Sequence, residues 1–71
     1  MKIKHCVNGI ELTKNDETIF ISSEHMITEK QITKTRVDEF AGEDRSKAYM
    51  AIARHLKALV DMADRLEKED A

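Results

Sequence analysis

The chain has 71 residues, of which 37% are charged and 41% hydrophobic, with a formal net charge of −2. That length predicts one small α+β domain over residues 1–71, marginally stable alone, because so short a chain buries only about 60% of its unfolded surface. A lone cysteine, Cys6, excludes a disulfide framework, and no run approaches the roughly 20 apolar residues of a membrane span.

The charge is unevenly placed, at +1 over residues 1–36 and −3 over residues 37–71. Neither half is basic enough to name nucleic acid or a membrane surface as the partner. The lone thiol and the lack of a leader-like segment predict a reducing, cytoplasmic setting.

Residues 2–13 read as a β-hairpin. Asn8-Gly9 is a favoured two-residue type I′ turn between alternating segments, with Gly9 expected to supply a positive φ. That turn sets Val7 opposite Ile10 and His5 opposite Leu12. Ile3, His5, Val7, Ile10 and Leu12 then share an apolar face, and Lys2, Lys4, Cys6, Glu11 and Thr13 share a wet one. Asn15 and Asp16 mark a second turn, and Thr18–Ser22 reads as a third strand. With Ile19 and Ile21 facing in, Phe20 is left on the opposite face as contact surface.

Residues 23–37 carry competing signals. Thr28, Ile32, Thr33, Thr35 and Val37 favour a fourth strand from about Met26 to Val37, and a short helix over Glu24 to Gln31 is the alternative. Phe40 is expected to anchor the following connection, and Gly42 breaks it.

From about residue 44 to 68 the pattern is helical. Tyr49, Ile52, Leu56, Leu59, Ala63 and Leu66 recur at three-and-four spacing, flanked by Ala48, Ala53, Val60 and Met62. Arg54, Lys57, Asp61, Asp64, Arg65 and Lys68 form the polar face. Such a helix is roughly 38 Å long at about 1.5 Å per residue, whereas a typical strand is only about 17–20 Å. The predicted architecture is therefore an antiparallel β-meander of three to four strands within residues 2–37. One long C-terminal helix packs on one face of it, in two layers, and overhangs the sheet.

Motifs for chemistry are sparse. His5 and Cys6 are adjacent, so on a strand they point to opposite faces and cannot share an ion. There is no C-x-x-C or H-x-x-x-H pair, and no metal or cofactor is expected. A thiol enzyme would need Cys6 beside a distant histidine, and the carboxylates cluster on a solvated helix face and tail. The sequence thus predicts a non-enzyme with no catalytic residues.

Two binding readings remain. The first is a protein-binding module that acts as inhibitor, regulator or accessory subunit and self-associates through the C-terminal helix. Its contact residues would be Tyr49, Ile52, Leu56, Leu59, Val60 and Met62, with Phe20 and Met50 as further adaptable surface. The second is a small DNA- or RNA-binding regulator whose fourth strand presents Lys30, Lys34 and Arg36 on one face. The small size and sparse chemistry also fit an accessory protein of a phage or mobile element.

Overall fold

A computed structural model describes residues 1–70. Strands β1 (Lys2–Cys6), β2 (Gly9–Lys14) and β3 (Glu17–Ser22) form an antiparallel sheet in the order β1-β2-β3. Two helices follow, α1 (Ser23–Thr28) and α2 (Lys30–Ala41), then a 3₁₀ turn over Gly42–Asp44. The last element is the long helix α3 (Arg45–Asp70), 26 residues against the 44–68 predicted. The predicted α+β architecture is thus the observed one, with a meander of three strands and helices packed on one sheet face.

The fourth strand does not form. Residues 23–41 are helical, broken only at Glu29, where the backbone leaves helical values at φ −126 and ψ 55. The sheet therefore ends at Ser22, not within residues 26–37. The threonines that suggested a strand are accommodated by bonding back to helix carbonyls. Thr28 Oγ1 donates to the Glu24 carbonyl (2.8 Å) and Thr35 Oγ1 to that of Gln31 (3.0 Å). Buried Thr33 donates to the His25 carbonyl (3.0 Å), near the end of α1. Met26, Thr33, Val37 and Ala41 fall on one buried line at helical spacing, and that line wins over the β propensity of the individual residues.

The first hairpin also differs from expectation. Its register pairs Cys6 with Gly9, His5 with Ile10 and Ile3 with Leu12, so Val7 and Asn8, not Asn8 and Gly9, form the loop. The shift is two residues, which preserves the faces. Val7 leaves the strand altogether and stands 94% exposed in the turn, and His5 keeps its face but is exposed at the sheet edge. Gly9 has no positive φ. Its need is steric, since a Cβ there would meet the Ile21 carbonyl oxygen and lie 2.6 Å from Phe20 Cζ. The left-handed turn chemistry sits at Asn15 (φ 52) and Asp16 (φ 66), between β2 and β3. The loop of the first hairpin is tied down from outside, because the Ser23 N–H donates to the Asn8 carbonyl (2.8 Å).

Ser22 then caps α1, its Oγ accepting from the His25 N–H at 3.1 Å. Gly42 ends α2 with φ 55, and Lys14 Nζ donates to the Ala41 carbonyl at 2.7 Å, satisfying an acceptor at that helix end.

The core lies between the sheet and all three helices. Ile10, Leu12 and Ile21 come from the sheet, Met26 from α1, Val37 and Ala41 from α2, and Ala48 and Ala51 from α3. Ile10, Leu12, Ile21 and Val37 are completely buried, each stabilising by about 1.5–3 kcal/mol. Phe40 is half-buried against this cluster, as predicted.

Candidate interaction surface

α3 is about 39 Å long at 1.5 Å per residue, while the strands beneath it have five or six residues. The molecule is accordingly elongated, with extents of 47 × 22 × 16 Å. The helix meets the sheet only along its first half. There, Ala48, Ala51 and His55 are buried, and two of the three are small, which lets the helix approach closely. This line lies roughly one residue around the helix from the predicted seam. Sequence periodicity favours large side chains, so it places Ala48 only on the flank of the seam and passes over Ala51.

The predicted contact residues separate into two groups. Tyr49, Ile52 and Leu56 are half-buried on the flank that faces α2. With Met26, Thr33, Lys30 and Lys34 they line a mainly apolar groove of about 310 Å³. Beyond them Leu59 is half-buried, and every residue from Val60 to Glu69 is exposed. Val60 (59%), Met62 (50%) and Leu66 (56%) are thus bare, Leu66 on the line that continues from the groove through Leu59 and Ala63, and Val60 and Met62 on either side of it. Met50 is exposed on another side of α3. Phe20 lies apart, on the open sheet face, with its ring over Gly9.

A small polar cluster fixes the groove wall. Asp38 of α2 accepts hydrogen bonds from the Tyr49 hydroxyl and from Lys34 Nζ (2.8 Å). The Lys34 bond, and after it the Tyr49 bond, hold the Asp38 carboxyl below its ordinary pKa. The bond to Asp38 raises the pKa of both Lys34 and Tyr49, since it favours the protonated form of each. The cluster pins α2 to the first half of α3 and orients the Tyr49 ring at the groove end.

The three cations of the nucleic-acid reading are not gathered on a strand. They lie on α2, where at about 100° per residue Lys30 and Lys34 share a side and Arg36 is roughly 120–160° away from them. Arg36 instead donates to the Phe20 carbonyl (3.2 Å), at the sheet. The basic face that an extended strand would have presented is therefore split.

The histidines and the thiol also lie apart. His5, expected on the core face, is exposed on edge strand β1 beside Met50 and Arg54 of α3. His25 is exposed, 3.5 Å from Glu29. Cys6 is half-buried on β1. His55 is buried, and its Nε2 lies 2.6 Å from Ser23 Oγ, a contact that sequence reasoning did not find because it joins positions 32 apart. Neither Ser23 nor His55 lines the α2–α3 groove, and no carboxylate is hydrogen-bonded to the imidazole among the described residues. The pair is a polar tie between α1 and α3 that satisfies a buried imidazole. Among the described residues no group of three or more His, Cys, Asp or Glu could hold a metal ion, and no helix is long and apolar enough to cross a membrane. Comparison with protein-family models, with curated proteins and with solved structures finds no match to this chain.

Proposed function

We propose that this chain is a non-enzymatic protein-binding module of the cytoplasm, working as an accessory subunit, inhibitor or regulator and self-associating through α3. The observation that carries the reading is the set of bare apolar residues Val60, Met62 and Leu66, beyond half-buried Leu59, on a helix that outruns its sheet. A half-helix of this kind gains little from its own chain. Isolated helices of such length are marginal in water, so a partner surface is what makes the order worthwhile. An apolar strip rimmed by charge is the usual footprint of helix-mediated association. The lone Cys6 suits a reducing compartment.

The test is sedimentation velocity on the purified chain, wild type against Val60→Lys and Met62→Lys. Both positions are exposed, so helix content by circular dichroism should hold while the assembly falls toward the monomer mass. An unchanged mass in both variants sinks the assignment of this stripe.

A further inference from the structure

We infer that the occupant of the α2–α3 groove is the α3 tail of a second copy, lying antiparallel in the register Tyr49–Leu66, Ile52–Ala63 and Leu56–Leu59. This rests on the self-association reading and supplies its geometry.

The groove and the tail are continuous along α3. The groove residues Tyr49, Ile52 and Leu56 and the outer residues Leu59, Ala63 and Leu66 belong to one stripe on one helix. An antiparallel pair about a two-fold axis lets each tail fill the other's groove, so one surface is used twice and the assembly closes. In the stated register the axis passes midway between residues 57 and 58, which is also the midpoint of Arg45–Asp70. The two helices then overlap over their whole length, with Leu59, Ala63 and Leu66 in the contact and Val60 and Met62 along its edges.

The charges at the two ends of α3 are complementary. The groove end is basic, with Lys30 and Lys34 on its rim and Arg45 beside the Asp38–Tyr49 cluster at the start of α3, whereas Lys47 lies on the other side of the helix near His5. Asp38 engages Lys34 at 2.8 Å, whereas Lys30 makes no ion pair among the described residues. The tail is net acidic: over residues 61–70 five carboxylates, exposed Glu67 and Glu69 among them, outnumber Arg65 and Lys68. Antiparallel pairing brings that acidic end to the basic groove end twice. Parallel pairing would set Glu67 and Glu69 against their own copies, which is repulsive. The helix dipoles favour the same choice, because each C-terminus then lies beside a partner N-terminus.

Cysteine trapping tests the register. In a Cys6→Ser background, Ile52→Cys with Ala63→Cys should give a disulfide-linked dimer under mild oxidation, and peptide mapping should place the bond between positions 52 and 63. Within one chain those positions are about 16 Å apart along the helix, so the bond can only join two copies. Ile52→Cys alone and Ala63→Cys alone should stay unlinked. Glu67→Lys with Glu69→Lys should weaken the dimer about tenfold or more by sedimentation, with the loss shrinking at high salt. Linkage in the single-cysteine variants, or none in the double variant of a chain that sediments as a dimer, overturns the register while the self-association reading stands. A wild-type chain that sediments as a monomer throughout overturns both.

Discussion

The two halves of α3 carry the same kind of stripe and lead different lives. The inner half, from Arg45 to Leu56, buries Ala48, Ala51 and His55 on the sheet and leans Tyr49, Ile52 and Leu56 against α2. In the outer half, from Lys57 to Asp70, the apolar residues Val60, Met62 and Leu66 are at least half exposed. The difference is one of supply. Three strands of five or six residues make a sheet that covers about half of a 26-residue helix. The inner half closes the core, and the outer half is the part that the proposed pairing would cover.

The sharpest way to break this comparison is to truncate one large side chain on each side of it. Leu12 is completely buried in the core closed by the inner half, so Leu12→Ala should cost about 2–5 kcal/mol. For a domain at the lower end of the usual 5–15 kcal/mol, that is much of the total stability. Leu66→Ala should change monomer stability by no more than about 0.5 kcal/mol. Urea titrations at a concentration too low for pairing would measure both. Equal losses would mean that the outer half belongs to the fold after all.

A smaller effect comes from enlarging one alanine in each half. Ala51 is 5% exposed and sits where the helix approaches the sheet, so Ala51→Leu should overpack that contact and cost about 1–3 kcal/mol. Ala63 is exposed in the middle of the bare stripe. Ala63→Leu should leave the monomer's denaturation midpoint unchanged and tighten self-association, because it adds apolar area at the seam. A stabilising Ala51→Leu would show that the inner contact is loosely packed and that the two halves differ less than their burial says.

Sequence reasoning reached the layers but not every element. The third strand and the long helix were legible because their signals agree, with alternation and β-branched residues in one and three-and-four spacing with strong helix formers in the other. Residues 26–37 misled because Thr28, Thr33 and Thr35 have β propensity one by one, while the deciding fact is where Met26, Thr33, Val37 and Ala41 must go together. Register at Asn8-Gly9 misled because the dipeptide permits a type I′ turn without requiring one. The close approach of Phe20 and the Ile21 carbonyl to Gly9 was invisible along the chain. For the candidate surface, the stripe was legible, whereas the groove was not, since its α2 wall was read as a strand. The line against the sheet was only half legible, with Ala48 on the flank of the seam and Ala51 passed over, because small residues give no hydrophobic signal in proportion to their structural role.

The smallest effect expected is a pH dependence confined to the inner half. Asp38 bridges Lys34 and Tyr49 there, and no side-chain hydrogen bond links the outer half to another element among the described residues. The carboxyl's pKa is lower folded than unfolded, chiefly through the Lys34 bond. Its contribution to stability is therefore fully present above the unfolded value, near pH 4, and is lost as pH falls through the lower folded value. Asp38→Asn should flatten that acid limb of the stability curve, measured by urea midpoints at a series of pH values. The change should be modest because the pair is partly solvated, and salt should reduce it further. Asp61, which pairs with Lys57 at 2.9 Å on the solvent side of the outer half, provides the control. Asp61→Asn removes an ion pair that joins residues of a single helix and ties α3 to nothing else. An equal flattening from both substitutions would show that acid sensitivity follows general surface charge and not the tie between α2 and the inner half of α3.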